Sequence, residues 1–544
     1  MACHAQAVKA GKHYDPAKIY SGSAPVADLR MLEAIAVEKG FDIYETDVAM
    51  AFPHAQLHPR PDGKPTTMRQ PEGTRIFYDQ DQYIAEKFDA DSVEQTTDGT
   101  QVTNGTMKFT DDAPHMAEAA HVVTRAWYGH PSAGNAFIEQ LHGAITNTKI
   151  HPKAGPCPIT IKRSSTQPCI FYMEDARFPR DHYWLWTNID NVRHYGTNKI
   201  VHEQFMQWYG QAYTITGGEK RLQDSEPMDC VGMTIRYEEG KTSLSMAPYV
   251  QKMLAKHGLT DCHSPKVPMA TDYPWHNSDA PHSEQEQQTV AETVSKMFPI
   301  NAVSNYAEAC TLYKSILMAI SWYATMTGGE VKVATSLLGR VMQHPSIKAF
   351  EALKRLLRFC KSGVDNPVIY RKTQDWEEGK WPQLRYSSDA SLGDDNDSSK
   401  TQGGYVGGFE NQAATAWVSR LSATICTSTY HAEMHFAAET SKEMVYQRRL
   451  LDELGCRQDE PTPLQGDNAA AVADLSSNIR KFSKHNKHFT RQVRYASECV
   501  EQGHIRVVKK SGKDLTADAM TKPLPQDSFA KYNQRLHQGP ANPE

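Results

Sequence analysis

Four acidic residues toward the C-terminal end of the chain have residue types that could act together on a phosphodiester. They are Asp389, Glu433, Asp467 and Asp518. Hydrolysis of a phosphodiester by two Mg²⁺ ions about 4 Å apart needs oxygen ligands for these hard cations, and acids offset their charge. We therefore take the four residues as candidate catalytic residues and as candidate ligands of two Mg²⁺ ions, which Mn²⁺ could replace.

Different predicted elements position these acids. The elements are a strand that ends near Asp389, a helix between Thr427 and Gly455 that carries Glu433, a short apolar run before Asp467, and a helical run that begins at Asp518. Alternating apolar and polar residues indicate the strand, whereas hydroxyl residues at the start and glycine at the end indicate the helix. Two further strand-forming runs lie over residues 401–419. One αβ layer could thus bring the acids together.

The residues around each acid distinguish this set from an arbitrary choice among the 64 acids of the chain. An arbitrary set would almost always be solvated surface. The motifs are, in order, Tyr386-Ser387-Ser388-Asp389-Ala390, Gly404-Tyr405-Val406, Ser428-Thr429 with Ala432-Glu433, Arg448-Arg449-Leu450-Leu451, Gly466-Asp467-Asn468-Ala469, and Ala517-Asp518 with Thr521-Lys522-Pro523-Leu524.

In this order the motifs resemble the C-terminal ribonuclease H domain of Ty1/copia-type retrotransposon polyproteins. The resemblance implies a ribonuclease H-like αβ domain with a mixed sheet. It also implies Mg²⁺-dependent cleavage of the RNA strand of an RNA–DNA hybrid, with Asp389, Glu433, Asp467 and Asp518 holding the ions.

The first half of the chain is similar to the reverse transcriptase of the same family. The similar segments are Asp47-Val48-Ala49-Met50-Ala51-Phe52, Met68-Arg69-Gln70-Pro71-Glu72-Gly73, Tyr128-Gly129 and Asn188-Ile189-Asp190-Asn191. The resemblance implies that Asp47 and Asp190 hold Mg²⁺ in a polymerase palm that binds a primer–template and dNTPs. It also implies that Tyr128 and Gly129 contact the template.

Asn191 departs from the family pattern, which has a second acid at this turn. An amide is a weaker ligand for a divalent cation than a carboxylate and leaves one negative charge fewer. A basic strand typical of the family's fingers is also absent upstream. We therefore expect truncated fingers and doubtful DNA synthesis.

The resemblance gives an α+β fold class and four segments. We expect a reverse transcriptase with partial fingers, palm and the start of the thumb over residues 1–258, and a linker with connection helices over 259–381. Ribonuclease H would follow over 382–525 and a polar, fraying tail over 526–544. Residues 271–300 are the expected linker, and the acidic segment 79–115 is an expected loop or weakly ordered insertion.

The formal charge of −5 gives no global indication of nucleic-acid binding, so a binding site must be local. Residues 480–513 contain ten Lys or Arg against two acids. We take Lys484, Lys487 and Arg491 as candidate contacts to a nucleic-acid backbone. An ordinary solvated charged surface is the alternative interpretation.

The ten cysteines are scattered singly, which favours reduced thiols over disulfides or zinc ligands. No apolar run reaches the 18 or so residues of a membrane span, and the N-terminus carries no signal segment. We expect a protein that is cytoplasmic, within a virus-like particle, or nuclear, with no membrane partner and no secretion.

A second function class remains open beside the enzyme. A decayed, non-catalytic remnant of the same polyprotein could bind nucleic acid without cutting or copying it. Asn191 favours decay in the polymerase half, whereas the four acids of the ribonuclease H half argue against decay there.

Overall fold

The structure is a computed structural model. It describes residues 24–56, 132–224, 227–272, 279–393, 395, 397–476 and 490–540, together with the backbone of strands at 67–69, 74–79, 82–87, 100–103, 106–109 and 120–122. Tyr128, Gly129, Lys484 and Lys487 lie outside the described residues. Only the backbone of Arg491 is described.

The helices of the described ranges are α1 (Val26–Lys39), α2 (Ala51–His54), α3 (Ala133–Ile145), α4 (Lys199–Ala212), α5 (Ala247–Lys256), α6 (Glu284–Met297), α7 (Tyr306–Met326), α8 (Lys332–Arg340), α9 (Ile347–Phe359), α10 (Thr429–Glu453), α11 (Ala469–Ser476), α12 (Thr490–Glu501) and α13 (Gln526–Gln538). Short 3₁₀ turns include Gly512–Asp514 and Thr516–Met520.

The strands are β1 (Asp42–Asp47), β2 (Thr67–Arg69), β3 (Thr74–Asp79), β4 (Gln82–Lys87), β5 (Thr100–Thr103), β6 (Thr106–Phe109), β7 (Ala120–Val122), β8 (Ile161–Arg163), β9 (Ile170–Met173), β10 (Tyr183–Asn188), β11 (Asn191–Gly196), β12 (Lys220–Arg221), β13 (Met228–Cys230), β14 (Met233–Glu238), β15 (Lys241–Ser245), β16 (Val368–Arg371), β17 (Leu384–Ser391), β18 (Gln402–Phe409), β19 (Ala414–Leu421), β20 (Thr462–Gly466) and β21 (Ile505–Lys509).

The chain forms two compact units. The first covers Tyr44–Glu219, and the second covers Pro25–Ile43 together with the chain from Lys220 onward. In the first unit, β1, β11, β10, β9 and β8 lie side by side in that order. The strand β10 is almost fully buried because aromatic and aliphatic side chains occupy both of its faces. Helices α3 and α4 supply further residues to the same apolar core.

The second unit contains an antiparallel sheet in the order β13-β14-β15-β16 and a five-stranded sheet in the order β19-β18-β17-β20-β21. In the five-stranded sheet, β17, β18 and β19 pair antiparallel, whereas β20 pairs parallel with both β17 and β21. The expected mixed sheet is therefore confirmed, as is the combination of helices and sheets. Helix α10 packs on β17, and the long apolar stripes of α7 and α9 pack on each other.

The expectation that the chain frays after Pro525 is wrong for most of this segment. Helix α13 occupies Gln526–Gln538 and buries Phe529, Tyr532 and Leu536. These side chains recur at three- and four-residue spacing, so one face of an otherwise polar helix is apolar. The tail is part of the folded second unit because burying this face removes apolar surface from water.

Two other segments are more regular than expected. Helix α6 forms inside the predicted linker of residues 271–300, and a capping box between Ser283 and Glu286 fixes its start. Strands β4, β5 and β6 lie within the acidic segment 79–115 and form one antiparallel sheet with β3, in the order β4-β3-β6-β5. Composition alone predicted loops there because both segments are polar.

Every cysteine in the described ranges carries a free thiol. None of the helices in those ranges combines the length and the apolar character needed to cross a lipid bilayer.

Candidate metal site

Asp389 lies near the end of the central strand β17, where the predicted strand ends. Its partner across the antiparallel pair is Gly404 of β18. Asp389 is 6% exposed, so its carboxyl is almost entirely removed from water. An ionised carboxylate at such a position needs hydrogen bonds or cations close by.

Helix α10 carries Glu433 to the same end of β17. The Ser428 side chain caps the helix by accepting a hydrogen bond from the backbone N–H of His431, as the hydroxyl residues in this segment predicted. The backbone N–H of Ala390 donates a hydrogen bond to the Glu433 carboxylate. Strand and helix therefore meet directly at the acid.

Asp467 follows β20, which runs parallel to β17. The Asn468 side chain caps α11 by accepting hydrogen bonds from the backbone N–H groups of Ala470 and Ala471, at 3.1 and 3.0 Å. This cap turns the chain directly after the acid. Gly512 lies against Asp467, because a Cβ atom at Gly512 would be 3.1 Å from Asp467 Oδ2.

The three acids form one cluster. One carboxylate oxygen from each of Asp389, Glu433 and Asp467 lies within 4.8 Å of the others, and Asp467 is the most exposed of the three. The residues are separated by tens of positions in sequence, so the sheet and α10 alone bring them together. In the part of the chain that the structure describes, no other group of three His, Cys, Asp or Glu converges in this way.

The cluster has more negative charge than its protein surroundings offset. Burial raises the pKa of Glu433 to about 9, and the neighbouring carboxylates of Asp389 and Asp467 add to the rise. Burial likewise raises the pKa of Asp389 to about 6, while hydrogen bonding from Thr521 and the charge of Lys522 act in the opposite direction. Both shifts follow from holding like charges together in a poorly solvated site.

Asp518 occupies a different position from the three clustered acids. It lies in the 3₁₀ turn Thr516–Met520, not at the start of a longer helix as expected. Its Oδ1 atom forms an ion pair with Lys522 Nζ at 2.5 Å. Asp518 is still close enough to raise the pKa of Asp389. Its role as a fourth metal ligand stays a prediction.

The donor set of the cluster fits a hard divalent cation. Three carboxylate oxygens are available, and such ligands suit Mg²⁺ or Mn²⁺. A cation placed among the three acids would favour the ionised forms of Asp389 and Glu433, which burial disfavours. Asp389, Glu433 and Asp467 are therefore the residues that would hold a metal ion.

The first unit brings together the other two predicted acids. Asp47 ends β1, and Asp190 lies in the two-residue loop between β10 and β11. The backbone N–H of Val48 donates to the carbonyl oxygen of Asp190 at 3.1 Å, and both acids act electrostatically on Tyr209. Ile189 in the loop has a φ of 58°, which few β-branched residues adopt. The Asn191 amide lies 3.4 Å from Asp190 Oδ1.

Sequence reasoning missed two kinds of residue at the clustered acids. Thr521 donates a hydrogen bond to Asp389, although the sequence assigned it no role. Gly403 and Gly404 leave room on opposite sides of β18. A Cβ atom at Gly403 would lie 2.3 Å from Phe436 of α10, and one at Gly404 would lie 2.8 Å from Met520. The two adjacent glycines inside a predicted strand could have indicated this packing, because glycine in a strand often marks a place where a neighbouring element approaches the backbone closely.

Comparison with known proteins finds relatives among retrotransposon polyproteins. The chain is 25% identical over 374 residues to the retrovirus-related Pol polyprotein from transposon TNT 1-94 of Nicotiana tabacum. The aligned region covers 68% of this chain and 25% of the relative. It is 29% identical over 226 residues to the Pol polyprotein from transposon RE1 of Arabidopsis thaliana, with coverages of 42% and 15%. The transposon Ty1-DR5 Gag-Pol polyprotein of Saccharomyces cerevisiae is 24% identical over 420 residues, with coverages of 76% and 22%.

No family model matches the chain. A foamy viral protease–reverse transcriptase, solved in complex with double-stranded DNA, aligns with a TM-score of 0.35 and 10% identity. The alignment covers 91% of this chain and 71% of the viral chain. That likeness is too weak to carry an argument about the fold. The matched region corresponds to between 15% and 25% of the length of the three curated relatives. The chain is thus homologous to part of the Pol polyproteins of Ty1/copia-type retrotransposons.

Proposed function

We propose that the cluster of Asp389, Glu433 and Asp467 is the active site of a metal-dependent ribonuclease H that cleaves the RNA strand of an RNA–DNA hybrid. The observation that carries the proposal is the convergence of one oxygen from each acid within 4.8 Å. Homology to retrotransposon Pol polyproteins supports a retroelement enzyme of this kind.

The protein's own groups have distinct parts in this proposal. Asp389 and Glu433 are buried and fixed by hydrogen bonds, so they provide a rigid base for the site. Asp467 is more exposed, so its carboxylate is the one that a phosphodiester would reach first. Bound Mg²⁺ or Mn²⁺ ions would supply an activated water and a stabilised leaving oxygen. Asp518 would join as a fourth acid on release from Lys522.

An RNA–DNA hybrid is the proposed substrate. Such duplexes are recognised by shape, backbone and 2′-hydroxyl contacts, so little sequence preference is expected. The basic segment with Lys484, Lys487 and Arg491 would supply charge for the backbone contacts.

The test uses the full chain with labelled RNA–DNA hybrid, double-stranded RNA and double-stranded DNA. We expect cleavage of RNA in the hybrid alone, dependent on added Mg²⁺ or Mn²⁺ and abolished by chelation. Binding of hybrid without metal-dependent cleavage by the folded chain would contradict the enzyme and favour the non-catalytic remnant.

We further propose that the first unit synthesises DNA feebly or not at all. Asp47 and Asp190 offer carboxylates for a polymerase metal site, but Asn191 offers an amide beside them. A primer–template with dNTPs measures this activity separately from hybrid cleavage. Robust primer extension by the unmodified chain would overturn this part of the proposal.

A further inference from the structure

Thr521 contacts the most deeply buried acid of the site. Its Oγ1 atom lies 2.7 Å from Asp389 Oδ2 and 2.8 Å from the carbonyl oxygen of Asp518. A hydroxyl group has one hydrogen to donate, and an ionised carboxylate is a stronger acceptor than a neutral carbonyl. Thr521 therefore donates to Asp389 whenever this acid is ionised. The contact fixes one oxygen of the carboxylate.

A chain of buried and partly buried hydrogen bonds holds the residue before Thr521. The Ser419 hydroxyl donates to the Met520 carbonyl oxygen at 2.6 Å, and Ser419 accepts a hydrogen bond from Gln402 Nε2 at 2.7 Å. Gln402 Oε1 in turn accepts from Arg340 Nη2 at 2.8 Å. Because arginine only donates, this contact sets the orientation of the Gln402 amide. Gln402 Nε2 is then the donor to Ser419, and the hydrogen of the Ser419 hydroxyl is left to donate to the Met520 carbonyl oxygen.

Packing holds the same segment from a second side. Gly404 lies directly opposite Asp389 in the strand pair, and a Cβ atom at Gly404 would come within 2.8 Å of Met520 Cβ. The turn that carries Met520 and Thr521 thus rests on the bare backbone of β18. Its position relative to Asp389 is fixed by contacts from β18 and β19.

We propose that Thr521 is a positioning residue for Asp389, and that Arg340, Gln402 and Ser419 keep Thr521 in place from helix α8 and the sheet. This inference rests on the proposed function. The hydroxyl holds Oδ2, so the other oxygen of Asp389 is presented to a cation in one orientation. Hydrogen-bond partners of metal ligands affect metal affinity by about 10- to 100-fold.

Paired substitutions at Thr521 test this role. Thr521→Val keeps the shape of the side chain and removes the hydroxyl, whereas Thr521→Ser keeps the hydroxyl. Thr311→Val is the matched control, because Thr311 is exposed on α7 and its hydroxyl bonds only within that helix. Mn²⁺ binding is measured by electron paramagnetic resonance without nucleic acid, and hybrid cleavage is measured for kcat and KM.

We expect Thr521→Val to weaken Mn²⁺ binding by about tenfold or more and to lower kcat, with KM for hybrid unchanged. Thr521→Ser should restore both properties, and Thr311→Val should match the unmodified protein. Mn²⁺ affinity in Thr521→Val equal to that of the unmodified protein would overturn the inference and leave the proposed ribonuclease H function intact. An unmodified protein that binds no Mn²⁺ would instead refute the proposed function.

Ser419→Ala provides a second variant that does not depend on the folding of Thr521→Val. It removes the bond to the Met520 carbonyl while leaving the Thr521 hydroxyl present. We expect weaker Mn²⁺ binding than in the unmodified protein, in the same direction as Thr521→Val. If Thr521→Val fails to fold, unchanged Mn²⁺ binding by Ser419→Ala overturns the inference.

Discussion

Asp389 and Gly404 face each other across β17 and β18, and the absence of a side chain at Gly404 is what allows the turn with Met520 to lie beside the acid. A Cβ atom at Gly404 would be 1.9 Å from the carbonyl oxygen of Val418 as well. A backbone atom in a sheet cannot move aside as a flexible side chain can. The glycine is therefore a structural requirement of the site.

The first prediction follows from this close approach. Gly404→Ala should lower the free energy of unfolding by about 1–3 kcal/mol through overpacking, and it should weaken Mn²⁺ binding by displacing the turn. Gly339→Ala is the control, because a Cβ atom there meets nothing within 4 Å and the residue lies in α8. That change should leave stability unchanged or raise it by up to about 1 kcal/mol. Chemical denaturation measures the unfolding free energy of both variants. Equal values for Gly404→Ala and Gly339→Ala would contradict the packing argument.

The second prediction concerns the most exposed acid of the cluster. Asp467→Asn should reduce hybrid cleavage by about 10³-fold or more, because the site loses a charged metal ligand and several kcal/mol of transition-state stabilisation. Hybrid affinity should persist. Asp527→Asn, an exposed position in the first turn of α13, is the control for loss of one negative charge. Cleavage by Asp467→Asn at the rate of the unmodified protein would exclude this acid from the reaction.

The third prediction uses the raised pKa of Glu433. Its pKa is about 9 in the folded chain, against an ordinary value of 4.5 for a glutamate. Between these values the folded state holds a proton that the unfolded state has lost, so this group lowers the unfolding free energy as pH rises. The slope is at most about 1.4 kcal/mol per pH unit for one group.

Glu433→Gln removes that proton equilibrium. We expect the stability of this variant relative to the unmodified protein to increase from pH 5 to pH 8 in metal-free buffer, as followed by thermal unfolding. Added Mg²⁺ should stabilise the unmodified protein at pH 8 more than the variant, because the cation favours the ionised carboxylates. A stability difference independent of pH would show that Glu433 is ionised in the metal-free protein.

The fourth prediction concerns the first unit. Asn191→Asp should increase primer extension, since it adds a carboxylate beside Asp190 at the hairpin loop. Hybrid cleavage should be unaffected, which separates the two activities in one preparation. Gln207→Glu, at an exposed position of α4, is the control for an added carboxylate outside the loop, and it should leave primer extension unchanged. Primer extension equal to that of the unmodified chain would show that Asn191 does not limit synthesis.

The fifth prediction concerns the basic segment. Replacing Lys484, Lys487 and Arg491 with Ala should weaken hybrid binding equally across sequences. The slope of log K against log salt should fall in magnitude by about 0.7 to 0.9 for each phosphate that the segment no longer neutralises. Binding at several salt concentrations measures this slope. The same slope in both proteins would assign the segment to ordinary solvated surface.

The sequence alone determined the local elements of the site. Alternation predicted β17, and hydroxyl residues and Gly455 predicted α10 to within a few residues of its bounds. The order of the motifs also indicated the similarity to retrotransposon Pol polyproteins. These features depend on hydrogen bonds and caps between near neighbours, so they can be read without the rest of the chain.

The tertiary structure decided which distant residues meet. It brought Asp389, Glu433 and Asp467 together and placed the Thr521 hydroxyl on Asp389. Each of these arrangements depends on strand register and on how closely elements approach over Gly403 and Gly404. The burial of α13 has the same origin, because an apolar stripe on a polar helix is stable only where the folded unit offers a surface to cover it.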